Sequence, residues 1–169
     1  MDKYLKEIIW NQFGASIDML ENAINACPEN VWGNQPGYHE FWYITYHTLF
    51  WLDFYLSDSP DNFTPPSPFT LSEFDPEGAL PEKVYSKKEM LSYLEHGRQK
   101  CKKRIETLTD EIANKHFVFG SINLSIEELM FYNMRHVQHH AAQLNLLLRQ
   151  KIDSAPRWVK QAKTQLNSN

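Results

Sequence analysis

Apolar residues recur at spacings of three and four over several separate stretches of this chain, and that period restricts what the chain can fold into. Such spacing places the apolar side chains on one face of an α-helix. The first stretch runs from about Lys3 to Ala26, and a second, apolar in nearly every direction, runs from about His39 to Ser57. The pattern therefore predicts helices that bury their apolar faces against one another.

Two further helices are marked by capping sequences. Ser86 is followed three residues later by Glu89, and Ser125 by Glu128, which is the capping-box pattern at a helix start. The apolar seam of the third helix continues to Ile112, and the fourth helix is expected to end near residue 150. Each of these helices is amphipathic and needs neighbours to cover it.

The connection between the second and third helices is unusually rich in proline. Six of the nine prolines lie between Ser57 and Tyr85, so this segment cannot be a continuous helix. Four helices, two short connections and one long one predict an all-α fold, a four-helix bundle with a long crossover connection between helices 2 and 3. We expect a single domain over residues 1–169, with a short amphipathic helix after Pro156.

Charge and composition exclude several broad classes of function. The net charge of −4 offers no basic surface for nucleic acid. The N-terminal residues lack the apolar core of a secretory signal, and the most apolar stretch, residues 41–56, is too short and too interrupted to span a membrane. Cys27 and Cys101 are too few for a disulfide framework, which fits a reducing cytoplasm. We therefore expect a cytoplasmic protein without a nucleic-acid or membrane partner.

A cluster of histidines lies in the fourth predicted helix. His136, His139 and His140 fall within five residues. At about 100° per residue, His136 and His140 point only about 40° apart, whereas His139 points about 100° away from His140. The apolar face of this helix carries His140 and has His136 at its edge. We therefore expect His136 and His140 to face the bundle as a pair and His139 to lie nearer to solvent.

Two inward imidazoles need a partner, and a metal ion is one that suits them at this spacing. His47 lies on the face of the second helix that carries Trp51 and Phe54, so we expect it to point inward too. Three neutral imidazoles around zinc or a similar ion leave a coordination position open, which is the catalytic arrangement. We therefore predict one divalent metal ion on His47, His136 and His140. The alternative is that His47 is a hydrogen-bonded core residue.

Three other side chains are candidate substrate-binding residues. Arg98, the one charge on the seam of the third helix, could bind an anionic group of a substrate, or could extend to solvent at the end of the bundle. Tyr43 and Tyr132 could reach a water on the metal, or could be core residues with satisfied hydroxyl groups. The helical pattern leaves both interpretations open for each residue.

Residue types exclude several neighbouring chemistries. Zincin proteases need a glutamate directly after the first histidine of the helical pair, and Val137 occupies that position. Di-iron bundles need Glu-x-x-His on two helices, and the predicted core helices lack it. The chain also has no Walker loop, Gly-rich dinucleotide turn or Gly-x-Ser-x-Gly sequence.

Two segments give the chain a resemblance to a known family. Residues 42–51 read Trp-Tyr-Ile-Thr-Tyr-His-Thr-Leu-Phe-Trp, and residues 136–144 read His-Val-Gln-His-His-Ala-Ala-Gln-Leu. With the first amphipathic helix and the long connection, they resemble the DinB/YfiT-like superfamily over nearly the whole chain. The resemblance implies a metal-binding four-helix bundle, frequently dimeric, whose histidine ligands match His47, His136 and His140 and often hold zinc or nickel. Many members carry an arginine where this chain has Ala141.

The resemblance also implies a type of reaction. Characterised members include thiol transferases that join bacillithiol to electrophiles and a mycothiol-dependent isomerase. The first hypothesis is therefore a metal-dependent enzyme, a thiol S-transferase or a hydrolase, in which the ion activates a low-molecular-weight thiol or water against a small-molecule substrate. The second hypothesis is a non-catalytic binding module, a homodimeric helical bundle in which metal is structural or absent.

Overall fold

Four long helices pack side by side and form an all-α bundle, as the apolar pattern predicts. The structure, a computed structural model, describes residues 1–34 and 36–166. In chain order its elements are α1 (Lys3–Ala26), α2 (Glu29–Trp32), α3 (Phe41–Tyr55), α4 (Lys87–Glu106), α5 (Asp110–Ala113), β1 (His116–Phe119), β2 (Ile122–Ser125) and α6 (Ile126–Ile152). Helix α1 packs on α4 and α6, and α3 packs on the same two helices. The four long helices thereby close around an apolar core.

Serine caps define where two of the bundle helices begin. Ser86 Oγ accepts a hydrogen bond from the Glu89 amide at 3.2 Å, and the Glu89 carboxylate accepts one from the Ser86 amide at 2.7 Å, so the predicted capping box of α4 is confirmed. At α6, Ser125 Oγ accepts from the Glu128 amide at 3.2 Å. These bonds satisfy amide groups that have no partner inside the helix, which stabilises the first turn.

The long connection between α3 and α4 packs against α3. It contains one helical turn among the described residues, a 3-10 turn at Ser72–Phe74. The ring of Phe74 contacts those of Phe50 and Phe54 on α3, with centroids 5.0 and 4.9 Å apart. The predicted crossover is therefore confirmed, and its aromatic contacts hold Glu73 beside α3.

The predicted third helix is shorter than expected. Its apolar seam was predicted to continue to Ile112, but α4 ends at Glu106. Thr109 then caps a new turn, α5, by accepting a hydrogen bond from the Ile112 amide at 3.2 Å. Leu108 is fully buried although it lies outside both helices. The prediction of one continuous helix was wrong because a residue in a turn can fill the core position that the next helical residue would fill.

A small β-hairpin that the helical pattern did not predict joins α5 to α6. Strands β1 and β2 pair antiparallel, with His116 opposite Ser125 and Phe119 opposite Ile122. Gly120 has φ +56°, a conformation that glycine adopts without strain, and forms the turn with Ser121. Alternating residues followed by a Gly-Ser pair are a hairpin signal, so this element was within reach of sequence reasoning.

Residues 157–166, the described part of the segment after Pro156, are not helical, so the predicted short helix there was wrong. Residues 155–166, called the tail segment below, lie along α1. The Ala162 amide donates to the Asn11 carbonyl at 2.9 Å, and Trp10 Nε1 donates to the Thr164 carbonyl at 2.6 Å. Because the tail segment finds hydrogen-bond partners on α1, it is held without forming a helix of its own.

None of the described helices is long and apolar enough to cross a membrane. Cys27 and Cys101 are both buried and unpaired. Burial raises the pKa of both thiols, that of Cys27 to about 12, so they stay protonated at neutral pH. Neither cysteine is therefore a candidate nucleophile.

Candidate metal centre

The structure brings the three predicted histidines together where α3 packs on α6. His47 comes from α3, and His136 and His140 lie one turn apart on α6. The ligand atoms that the three rings offer all lie within 4.8 Å of one another, and no other His, Cys, Asp or Glu joins the group within residues 1–34 and 36–166. We call these three residues the histidine cluster. It could hold one metal ion.

The spacing of the cluster fits a tetrahedral ion. His136 Nε2 and His47 Nε2 lie 3.3 Å apart. Two imidazole nitrogens on zinc, each about 2.0–2.1 Å from it in tetrahedral geometry, are separated by about 3.3–3.4 Å. The third ligand atom would need to approach the others by at most about 1.5 Å to complete three tetrahedral positions. The donor set and its spacing therefore suit zinc or a similar borderline ion.

Glu73 accepts a hydrogen bond from His47 and so orients its ring, and Glu73 was not among the predicted site residues. His47 Nδ1 donates to Glu73 Oε2 at 2.7 Å, and Trp51 Nε1 donates to the same oxygen at 2.8 Å. The Tyr43 hydroxyl donates to Glu73 Oε1 at 2.7 Å. The Glu73 side chain is 5% exposed. It comes from a proline-rich segment without helical period, so no sequence signal pointed to it.

Glu73 determines which nitrogen of His47 is free. Burial alone would raise the pKa of the Glu73 carboxyl, but hydrogen bonds from His47, Tyr43 and Trp51 favour the ionised form, and the pKa is lowered. The carboxylate therefore stays ionised and holds the proton of His47 on Nδ1. The lone pair of His47 Nε2 then points at the other two histidines, as a metal ligand requires.

The two cluster histidines on α6, His136 and His140, are neutral at pH 7. Burial, reinforced by neighbouring histidines, lowers the pKa of His136 to about 3. Burial also lowers the pKa of His140 to about 4, although its bond to Gln143 acts in the opposite direction. His140 Nδ1 lies 2.7 Å from Gln143 Oε1, which can accept its proton and leave Nε2 free. His136 Nδ1 is buried and has no hydrogen-bond partner among the described residues.

Two cavities flank the histidine cluster on different sides. The first, of about 540 Å³, is lined by His47 and His140 together with Glu73, and we call it the Glu73 cavity. The second, of about 660 Å³, is lined by His136 and by Trp158 of the tail segment, and we call it the tail cavity. Both are large enough for a small organic molecule.

The structure places the two candidate tyrosines beside these cavities. Tyr43 lines the Glu73 cavity, and its hydroxyl is bonded to Glu73 and does not point freely at the cluster. Tyr132 lines the tail cavity and packs edge-on against Tyr55, with ring centroids 5.3 Å apart. Tyr43 is therefore tied to the cluster through Glu73, whereas Tyr132 forms part of a cavity wall.

Arg98 is not brought to the histidine cluster. Its guanidinium lies between α4 and α1 and forms ion pairs with the carboxylates of Asp18, Glu21 and Glu95. Arg98 is 7% exposed, so it does not extend to solvent at the end of the bundle either. Sequence reasoning treated it as a lone charge and missed its three acidic partners.

The remaining histidines are exposed, as was predicted for His139. His39, His96 and His116 lie at the surface, and His139 is exposed beside the cluster. His139 Nε2 accepts from Gln143 Nε2 at 3.2 Å and does not join the three ligand candidates. The helical angles therefore separated His139 from its neighbours correctly.

One of three comparisons with known proteins finds a match. The family profile of the DinB superfamily matches residues 12–144, a span that includes all three histidines of the cluster and Glu73. Searches of the curated proteins and of the solved structures found no match. The matched span covers most of the chain and contains α3 and the part of α6 that carries the ligand candidates. The chain therefore belongs to the DinB superfamily.

Proposed function

We propose that this chain is a metal-dependent enzyme of the DinB class, with a divalent ion, zinc or nickel, held by His47, His136 and His140. The observation that carries the proposal is the convergence of three imidazoles with no fourth protein ligand among the described residues. A structural zinc site is closed by four protein ligands, whereas a catalytic site has three and leaves one position for a reactant.

The chain's own residues prepare the site for an ion. His136 and His140 are kept neutral by burial, so no proton has to be removed from them at pH 7 before they bind an ion. Glu73 holds the His47 ring in one orientation and one tautomer. When bound, an ion of this type lowers the pKa of a thiol or water that it coordinates, so that the nucleophilic form exists near neutral pH.

The reaction that we propose is transfer of a low-molecular-weight thiol to a small electrophile, or the corresponding hydrolysis. In transfer, sulfur forms a bond to the electrophilic atom, the leaving group departs with the bonding electrons, and the thiol proton passes to solvent. In hydrolysis, water takes the place of the thiol. Two cavities beside the cluster support a reaction with more than one small reactant.

A single domain over residues 1–169, a homodimeric assembly and a cytoplasmic location complete the proposal. Family resemblance supports the dimer, and the small number of cysteines fits a reducing compartment. Light scattering coupled to size-exclusion chromatography tests the dimer, because a mass near the 19.9 kDa of one chain would contradict it.

Elemental mass spectrometry on untagged protein tests the metal. The parent is expected to contain about one equivalent of zinc, nickel or a similar ion, and His47→Ala and His140→Ala are expected to lose it while keeping their helical circular dichroism. His116→Ala is the matched control, because His116 is exposed on β1 and outside the cluster. A parent that stays free of metal after incubation with these ions would contradict the proposal.

Cobalt substitution tests the open coordination position. With Co²⁺ in the site, addition of a small thiol such as 2-mercaptoethanol is expected to change the visible spectrum, because sulfur replaces an exchangeable ligand. A spectrum that thiol and pH leave unchanged would indicate a closed site and favour the non-catalytic module.

A further inference from the structure

The side chains that line the tail cavity favour the binding of a ligand. It lies between α1, α6 and the tail segment, where Gln12 and Ala15 face Tyr132 and Trp158. Gln12 Nε2 donates to the Lys160 carbonyl at 3.4 Å, which ties the tail segment to α1 at the cavity wall. The wall that closes this cavity is therefore anchored to the bundle.

Among the described residues that line the tail cavity, one carries a full charge, and that charge is positive. Arg135 lines the cavity, is exposed, and makes no hydrogen bond or ion pair with any side chain in the described part of the chain. None of the described lining residues is Asp or Glu, although the chain has 21 acidic residues and a net charge of −4. A lone guanidinium in a wall without carboxylates is complementary to an anion and favours carboxylates through its planar pair of donors.

An exposed indole and a small apolar side chain also line the cavity. Trp158 is 65% exposed, an unusual state for the largest apolar side chain, and Ala142 lines the cavity from α6. The Val159 amide donates to Met19 Sδ at 3.2 Å, which anchors the backbone directly after Trp158. An indole ring that is exposed on an anchored segment offers a stacking surface for a planar group.

We propose that the tail cavity binds a small organic acid with a planar apolar body, whose carboxylate pairs with Arg135 and whose body packs on Trp158. His136 lines this cavity, whereas His47 and His140 line the Glu73 cavity. The acid therefore lies on the His136 side of the histidine cluster. The role of the acid as a reactant rests on the proposed function, whereas its binding in the tail cavity does not.

Isothermal titration calorimetry with 2-naphthoate tests the binding. The titrations use the full chain after removal of metal by a chelator, so that the carboxylate cannot bind an ion instead. The neutral analogue 2-naphthamide is titrated in parallel. The variants are Arg135→Gln, Trp158→Ala and, as matched control, Arg149→Gln, which removes the same charge from an exposed arginine on the same helix outside the cavity.

The parent is expected to bind 2-naphthoate more tightly than 2-naphthamide. Arg135→Gln is expected to raise the dissociation constant of 2-naphthoate about tenfold and leave that of 2-naphthamide unchanged, because it removes a charge-assisted contact to the carboxylate. Trp158→Ala is expected to weaken both ligands, and Arg149→Gln neither. Equal effects of Arg135→Gln and Arg149→Gln, equal affinity for acid and amide, or no binding by the parent would each overturn the proposal.

The same titration separates this proposal from the proposed function. His140→Ala removes a cluster residue that does not line the tail cavity, so it is expected to lose metal and still bind 2-naphthoate. A parent that takes up no metal when ions are supplied but binds the acid would support the tail site and contradict the enzyme. A parent that holds metal but ignores the acid would leave the enzyme standing without the tail site.

Discussion

Two of the groups of inward polar side chains in the bundle differ in how their hydrogen bonds are completed. Between α1 and α4, Arg98 donates to Asp18, Glu21 and Glu95 at 2.5, 2.9 and 3.1 Å, and we call these four residues the arginine group. Between α3 and α6, the histidine cluster instead directs nitrogens at one another, with two Nε2 atoms 3.3 Å apart. The charges of the arginine group are paired within the protein, whereas the nitrogens of the histidine cluster are left without a partner between them.

This difference separates a structural role from a binding role. Asp18 is 1% exposed, and its second oxygen accepts from the Lys163 amide at 2.7 Å, so both oxygens of this buried carboxylate have partners. The cluster has no cation or donor inside it that could satisfy three imidazole lone pairs at once. Polar groups that converge without a partner are stable only if something else completes them, and a metal ion is such a partner.

Removing Arg98 is expected to have the largest effect. Arg98→Ala leaves the Asp18 carboxylate buried without its cation, which costs about 3–5 kcal/mol of unfolding free energy. Arg104→Ala is the matched control on the same helix, because the partner of Arg104, Asp58, is 95% exposed and the pair contributes about 1 kcal/mol or less. Urea unfolding of the metal-free variants measures both. If the two variants lost similar amounts of unfolding free energy, the buried arginine group would be no more important for stability than an exposed ion pair.

Metal is expected to stabilise the parent through the histidine cluster alone. Zinc at a free concentration of about 100 times its dissociation constant raises the unfolding free energy by about 2.7 kcal/mol. His140→Ala is expected to lose this increment, whereas Arg98→Ala and His116→Ala keep it, because neither residue is in the cluster. Urea unfolding with and without zinc measures the increment. An increment that persists in His140→Ala would place the metal elsewhere.

Weakening the support of His47 is expected to have a smaller effect than removing a ligand. Glu73→Gln removes the carboxylate that holds the Nδ1 proton, and the affinity for zinc is expected to fall about 10- to 100-fold. Competition with a chromophoric chelator measures the affinity. Glu77→Gln, an exposed neighbour in the same connection, is the control and is expected to bind like the parent. Equal affinities for Glu73→Gln and the parent would show that Glu73 does not position His47.

The tail segment is joined to the arginine group, because the Lys163 amide donates to Asp18. It lies close to α1 at Gly14, where the absence of a side chain leaves room for Ala162. A Cβ added at Gly14 would lie 2.6 Å from Ala162 Cβ, so Gly14→Ala is expected to displace the tail segment and cost about 1 kcal/mol. In an Ala162→Gly background the same change is expected to cost less, because the contact with Ala162 is gone while the Trp10 ring still lies 3.0 Å from the added Cβ. Thermal unfolding measures both. Equal costs in the two backgrounds would contradict the close contact.

The smallest expected effect concerns Glu89, a surface residue outside the histidine cluster and the arginine group. The bond from Lys83 and then the amide of Ser86 lower the pKa of Glu89 to about 2, against 4.5 in the unfolded chain. Its contribution is therefore fully present above about pH 4.5 and lost as the pH falls towards 2. Glu89→Gln is expected to cost about 0.5–1 kcal/mol at pH 7 and progressively less below pH 4.5, as urea unfolding at several pH values would measure. A cost independent of pH would contradict this origin.

Local helical geometry was enough to predict the ligand candidates. α1 has the bounds expected from its period, and the direction of each side chain around a helix follows from the backbone alone. His136 and His140 were therefore separable from His139, and His47 could be assigned to an inward face, before any helix was placed beside another. The end of α4 was not predicted because the helical seam continued into a turn that fills the same core positions. The hairpin at Gly120 was not predicted although its sequence carries a hairpin signal.

The sequence by itself determined the helices, their buried faces and the three histidines that face inward, because each depends on residues within a few turns of one another. Only the tertiary structure decided the partners. Glu73 meets His47 across 26 positions and Asp18 meets Arg98 across 80. Such contacts depend on how segments pack, and a charged side chain carries no local mark of the partner it will be buried with. That is why the histidines were predictable and their support was not.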